Sequence, residues 1–331
     1  MKTSLKLFAI LLLLSSISVA QQTNAEFPKL TGPYLGQTPP GMIPELFAPG
    51  IVSTGNHEHS RLVISNNGNE IYWIVIPVDT LRKNQHGRPF QANEQNIYFT
   101  TSVNEEWTKP DVFPLTKLLT PNALALDFEN RLYFQVYDQE ANPNKNPRLT
   151  KLFVDERDSK QWLNPQLTEN ILPNEKGKVV MTLCFSANGN LYYDSGGPDS
   201  TGAWSWNIFI REFKNGKYQN PKLLEFGIND EEINWCPWIA PDESYIIWSS
   251  HREGNYGSGD LYISFKNKNG AWSAPMNMGN QINTEGQERF PSVSPDGKYL
   301  FFTRHKDDIT YSDFYWVSAK IIDELRPKEL K

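Results

Sequence analysis

Short apolar runs separated by polar turns dominate the chain, and one phrase recurs among them. It reads Ser65-Asn66-Asn67-Gly68-Asn69-Glu70-Ile71-Tyr72-Trp73, then Asp127-Phe128-Glu129-Asn130-Arg131-Leu132-Tyr133-Phe134, then Ser186-Ala187-Asn188-Gly189-Asn190-Leu191-Tyr192-Tyr193. It returns as Ala240-Pro241-Asp242-Glu243-Ser244-Tyr245-Ile246-Ile247-Trp248 and as Ser294-Pro295-Asp296-Gly297-Lys298-Tyr299-Leu300-Phe301-Phe302. Asn, Asp and Gly fold the backbone between two apolar runs, so each copy predicts a β-hairpin. The copies begin at residues 65, 127, 186, 240 and 294, spaced by 62, 59, 54 and 54 residues. A period of that size, with several strands per unit, predicts propeller blades rather than a helical solenoid. A sustained 3.6-residue apolar period is confined to the short tail from Ile321 to Leu325.

A second phrase lies between the hairpins: Trp107-Thr108-Lys109-Pro110, Trp162-Leu163-Asn164-Pro165, Tyr218-Gln219-Asn220-Pro221 and Trp272-Ser273-Ala274-Pro275. Each follows a strand-like run and predicts the turn from a third strand into an outermost fourth. Proline is tolerated there because an edge strand can spare a ladder donor. After the last hairpin comes a third strand, Phe314 to Ala319, with no such phrase behind it. Pro44-Glu45-Leu46-Phe47-Ala48-Pro49 stands where a fourth strand would precede the first hairpin. The N-terminal segment is therefore expected to supply the outer strand of the last unit and close the ring, which removes an unpaired edge. The expected fold is all-β, a propeller of four-stranded blades. Five blades are favoured, with room for a degenerate sixth in 85–105 or 138–148.

The phrases Phe290-Pro291-Ser292-Val293-Ser294-Pro295-Asp296-Gly297-Lys298-Tyr299-Leu300-Phe301-Phe302, Ser249-Ser250-His251-Arg252-Glu253-Gly254 and Gly259-Asp260-Leu261-Tyr262 resemble the WD-repeat-like blades of exported bacterial TolB-type β-propellers. The resemblance spans roughly residues 40 to 320 and is strongest from 180 onward. It implies architecture and is nearly silent on activity, since such propellers include periplasmic adaptors, sensor-like modules and stand-alone exported proteins. The chain departs from the six-bladed TolB type in its count and in lacking an extra N-terminal domain. The resemblance also implies that an arginine after a second strand, as in His251-Arg252 or Arg304-His305, braces the next blade by pairing with an acid such as Asp260 or Asp313.

The ends refine this picture. Lys2 and Lys6, the apolar run Leu7 to Leu14 and Ser18-Val19-Ala20 have the order of a secretory signal peptide. The run is shorter than the roughly 20 apolar residues a membrane helix needs. The expected organisation is a signal peptide at 1–20, an extended segment at 21–40, one propeller domain at 41–320 and a tail at 321–331. The expected location is periplasmic or extracellular, as a monomer with no membrane span. Without Lys2 and Lys6 the formal charge passes from −6 to −8. An acidic chain with no Lys/Arg cluster argues against a nucleic-acid partner. The cysteines, Cys184 and Cys236, lie in strand-like runs and are expected to be buried free thiols.

Candidate chemistry follows from the hairpin topology. The Asn-Gly and Pro-Asp-Gly turns occupy one face, and loops entering the first strands or leaving the second strands occupy the other. All five histidines, His57, His59, His86, His251 and His305, fall on that second face. Glu58, Arg252, Glu288, Arg289 and Arg304 share it. The candidate ligand-binding set is therefore His57, Glu58, His59, His251, Arg252, Glu288, Arg289, Arg304 and His305. His57-Glu58-His59 contains metal-ligand types, but its spacing specifies no geometry, and no metal or cofactor is expected. Gly-x-Ser-x-Gly, Gly-rich phosphate loops and dinucleotide fingerprints are missing from the sequence. Trp204, Trp206, Trp235 and Trp238 could stack on sugar rings, but core packing is the expected use of most of them. Two functions stay open: a non-catalytic module binding a protein, peptide or glycan, and a carbohydrate-active enzyme such as a polysaccharide lyase or glycosidase.

Overall fold

The computed structural model describes residues 26–83, 89–91, 95–114, 121–137, 150–155, 157–158, 161–162, 165–168, 171–172, 178–198, 204–225, 227–230, 232–305 and 310–330. The signal-peptide region, His86 and the stretch 138–148 lie outside the described residues.

The described chain is nearly all-β, with one short α-helix at Lys320–Leu325. Its strands pair into five four-stranded antiparallel arrays. The first comprises Val63–Ile64, Glu70–Ile76, Asn96–Val103 and Asp111–Val112. The second comprises Pro121–Leu126, Leu132–Tyr137, Thr150–Asp155 and Gln166–Leu167. The third runs through Leu183–Phe185, Leu191–Pro198, Trp204–Arg211 and Lys222–Leu223. The fourth is Asn234–Ile239, Tyr245–Ser250, Asp260–Phe265 and Met276–Asn277. The fifth joins Gln287–Val293, Tyr299–His305 and Ser312–Ser318 to Glu45–Leu46, with Glu45 opposite Trp316.

All five recurrent phrases form the turn between a first and a second strand, and all use the same backbone bond. The amides of Gly68, Asn130, Gly189, Glu243 and Gly297 donate to the carbonyls of Ser65, Asp127, Ser186, Ala240 and Ser294 at 2.8–3.0 Å. The donor residue has positive φ each time, from 59° to 80°. Glycine adopts this conformation freely, whereas Asn130 and Glu243 adopt it at some cost in strain. In the first four arrays the outer strand begins directly after the Trp/Tyr-x-x-Pro phrase, as at Asp111 after Pro110 and Lys222 after Pro221.

The second strands alternate apolar side chains onto two buried faces, as a period of two requires. Ile71, Trp73 and Val75 pack with Phe301, Phe314, Trp316 and Phe47 of the fifth array. Tyr72 and Ile74 face the other way, onto Leu124, Leu132 and Phe134 of the second array. Similar shared cores join the second array to the third, the third to the fourth and the fourth to the fifth. The strand His57–Glu58 bridges the ends of this series, pairing in parallel with Ser312 and antiparallel with Ile76 and Val75.

Arg61 ties the inner strands together. This buried side chain donates from Nε to the Pro291 carbonyl at 2.8 Å, from Nη1 to the Leu183 carbonyl at 2.7 Å, and from Nη2 to the Pro237 carbonyl. Three first strands besides its own are thereby held by one planar guanidinium, whose five fixed donors suit it to such a hub. Of the described residues in 85–105, Pro89–Gln91 pairs with Val78–Lys83 and Asn96–Val103 enters the first array.

Candidate functional site

Antiparallel pairing puts the starts of first strands beside the ends of second strands, as with Gln287 opposite His305 and Asn234 opposite Ser250. The four described histidines, His57, His59, His251 and His305, gather at that end with Trp235 and Arg289. The His57 and His59 rings stack with centroids 4.9 Å apart, and His57 meets His305 edge-on at 5.1 Å. His59 meets Phe290 at 5.3 Å, His251 meets Trp235 at 5.2 Å, and the Arg289 guanidinium lies 4.1 Å from the Trp235 ring centre. His251 Nε2 and Gln287 Nε2 are hydrogen-bonded at 3.0 Å.

A bulge presents this group. The ladder shifts register between Arg289 and Ser292, and likewise between Trp235 and Trp238 in the preceding array. Phe290 and Cys236 take positive φ, 52° and 54°, at the two shifts. Such a shift locally bends a strand and changes the aim of its side chains. The same device therefore recurs beside Arg289 and beside Trp235.

Although the sequence places these residues in loops between strands, the group is largely enclosed. His57 and Glu58 lie in a strand and are buried, and His305 ends a second strand and is also buried. His59, His251 and Arg289 are partly exposed. Burial, with the Arg289 cation nearby, lowers the His57 imidazole to about 4. It also carries His59 and His305 well below the usual range, and His251 downward. All four rings are therefore neutral at neutral pH. The Arg289 guanidinium is itself lowered by burial, to about 10, and remains a cation. Burial pushes the Glu58 carboxyl up to about 7 against the two hydrogen bonds it accepts from Thr54.

The remaining candidates stand apart and are satisfied within the fold. Arg252 pairs with Asp230 at 2.8 Å, donates to the Gly227 and Ile228 carbonyls and lies over Trp248 and Tyr262. Arg304 pairs with Glu288 at 2.8 Å, donates to the Ile282 carbonyl and lies over Tyr315. Both arginines are ion-paired, but to acids other than those the resemblance implied, and each acid lies in the arginine's own array or the loop entering it, not in the next array. Asp260 instead accepts from the Tyr256 and Gly257 amides and from Asn277. Asp313 sits across the ladder from Arg304 while the ion pair goes to Glu288.

Among the described residues, no group of three or more His, Cys, Asp or Glu could hold a metal ion. The His57 and His59 rings stack face to face instead of converging on one point. Trp206 and Trp235 are buried, Trp238 is partly buried, and Trp204 is 51% exposed. Trp206 lies on Gly196, where a Cβ would meet its ring at 2.1 Å. Cys184 and Cys236 are buried free thiols.

Sequence reasoning missed Arg61, whose signal was a charged residue at the mouth of an otherwise apolar first strand. It also missed a cavity of ≈ 460 Å³ at the hairpin-turn end, lined by Arg61, Phe128, Phe185, Trp238 and Tyr245 among others. Its apolar character comes from side chains that face inward from several arrays.

No family model and no curated protein matches the sequence. Solved structures of similar shape include a protein of unknown function from Dyadobacter fermentans DSM 18053, at 13% identity over 85% of this chain and 83% of that one, with a TM-score of 0.48. A thermostable family-43 glycoside hydrolase is 13% identical over 84% of this chain and 91% of its own, with a TM-score of 0.47. A luciferin-regenerating enzyme is 13% identical over 83% and 95%, with a TM-score of 0.46. Likeness at this level leaves function to be argued from the residues of the site.

Proposed function

We propose that the chain is an exported five-bladed β-propeller, closed by its N-terminal strand, that binds a ligand without catalysis at the histidine-bearing end of its axis. The shared cores that run from the first array through to the fifth and back support the closed ring. One observation carries the binding reading. His59, Trp235 and Arg289, from three separate segments, gather at one end, each with a buried polar atom that has no partner among the described residues, and His251 packs on Trp235 beside them. Buried polar groups are normally paired, so a cluster of unsatisfied ones gathered at one end marks a place for a ligand. A peptide or a glycan fits this mixture of flat aromatic and hydrogen-bonding groups. Trp206 and Trp235 make intrinsic fluorescence the natural assay. A binding panel of oligosaccharides and peptides should contain members that shift tryptophan emission saturably in the native chain but not in a Trp235→Leu variant. A panel with no such member would refute the reading.

A second reading, a carbohydrate-active enzyme, draws support from Glu58. A carboxyl raised to about 7 has the character of a general acid. Complete burial of that carboxyl weighs against contact with a substrate. Turnover of a polysaccharide that is lost in Glu58→Gln would favour the enzyme over the binding module.

A further inference from the structure

Arg289 differs from the other arginines near it. Arg252 and Arg304 each have a carboxylate at 2.8 Å, and Arg61 is held by three backbone carbonyls. Arg289 has no ion pair among the described residues, and its buried Nε has no hydrogen-bond partner. What surrounds it is aromatic: Trp235 beneath the guanidinium, with His59, His251, His57 and His305 beyond. The other unpartnered buried atoms here include Trp235 Nε1, His59 Nδ1, both ring nitrogens of His305 and the acceptor Gln287 Oε1. A neutral imidazole presents one N–H, and a tryptophan only donates. The region thus combines one positive charge that has no counter-ion among the described residues with free ring nitrogens, of which Trp235 Nε1 can only donate. An uncompensated cation partly withdrawn from water is unfavourable, and an incoming anion relieves it.

We infer that Arg289 is the receptor for a monoanionic oxyanion on the ligand, a carboxylate or a sulfate ester, with His59 and Trp235 as supporting donors. The inference rests on the binding reading above and specifies its chemistry. One guanidinium among neutral rings matches one negative charge, and its two-pronged fork suits a two-oxygen face. A dianionic phosphate would bring a charge with no counterpart here.

The test uses the purified protein and titration calorimetry at low ionic strength, with sodium glucuronate, sodium acetate, methyl sulfate, inorganic phosphate and glucose as probes. Glucuronate should bind saturably and raise the midpoint of thermal unfolding, while glucose at the same concentration should do neither. Acetate and methyl sulfate compete with glucuronate, and which competes better tells a carboxylate site from a sulfate one. Phosphate should compete less than either. Arg289→Gln should weaken glucuronate binding roughly tenfold or more, the loss expected for a charge-assisted pair. Without ligand, Arg289→Gln should be at least as stable toward urea as the native chain, since it removes an uncompensated cation. A purely bracing arginine would lower stability instead, and that outcome overturns the inference.

The inference also fails if none of the anions binds, or if they bind Arg289→Gln equally well. Should neutral sugars or peptides shift tryptophan emission with no preference for anionic ones, the binding reading survives and the anion receptor does not. Should no member of either panel act, both fall.

Discussion

Replacing Glu58 by glutamine isolates one titration from the rest of the fold. The Glu58 carboxyl is fully buried, and its Oε1 accepts from the Thr54 amide and hydroxyl at 2.9 Å each. Its Oε2 has no partner. Glu288 occupies the corresponding place in the fifth array, four residues after Thr284, and adds an ion pair with Arg304 across the ladder. The residue across from Glu58 is Val75, so the matching cation is missing. Burial, with Asp313 adding to it, therefore raises the carboxyl from its ordinary 4.5 to about 7. Between those values the folded state binds more protons than the unfolded one. Its contribution to stability is complete below 4.5 and is lost as pH rises toward 7. Glutamine does not titrate. The stability of Glu58→Gln minus that of the native chain should rise by about 2.5 kcal/mol between about pH 5 and about pH 8.

A pH-independent penalty of about 1–3 kcal/mol is expected beneath that rise, because the new amide N–H group meets no acceptor. The slope, not the offset, carries the argument. His57 works in the opposite sense. Its imidazole is lowered to about 4, so the folded state gains stability as pH rises from 4 toward 6.5. In the native chain this gain masks much of the Glu58 loss, and the variant should expose it. Urea unfolding followed by tryptophan fluorescence at several pH values measures both curves. A difference that stays flat from pH 5 to 8, or falls, refutes the buried-acid account.

Four further outcomes follow from the packing. Arg61→Met should cost about 3 kcal/mol or more in urea unfolding, since it strands three inner-strand carbonyls; a loss within about 0.5 kcal/mol would deny Arg61 its role as hub. Phe47→Ala, beside the strand that completes the fifth array, should cost about 3–5 kcal/mol, because the ring is fully buried against Phe301 and Trp316; retention of the native unfolding midpoint would place the N-terminal segment elsewhere. Arg304→Leu should cost about 3–5 kcal/mol by leaving Glu288 buried without its cation, and Glu288→Gln in the same chain should recover part of that loss. Cys184 and Cys236, whose thiols are raised by burial, the latter to about 12, should resist a thiol-specific disulfide reagent until urea unfolds the chain. Rapid labelling of either in the native protein would contradict their burial.

The elements were legible because their signals are local. A turn such as Pro295-Asp296-Gly297 needs only its own backbone and an i to i+3 hydrogen bond, so residue type announces it. The outer strand at Glu45–Leu46 was legible for a different reason: the repeat left one unit short of a strand and one segment without a unit. The side of the molecule that carries the four described histidines also followed from strand direction alone.

The environment of those histidines did not. Polar residues between strands read as exposed loop, yet His57-Glu58 is drawn in as a strand between the first and fifth arrays, and burial then sets the protonation of both. Nor could spacing choose Asp230 for Arg252 or Glu288 for Arg304, since several acids lay within reach and only the packed geometry selects one. By itself, then, the sequence determined the hairpins, their period and the segment that completes the fifth array, because turn chemistry and strand alternation act over a few residues. Tertiary structure alone decided which polar groups became compensated and which, like Arg289 and Glu58, stayed unpaired. That outcome depends on distances between arrays far apart in the chain and on how completely they exclude water.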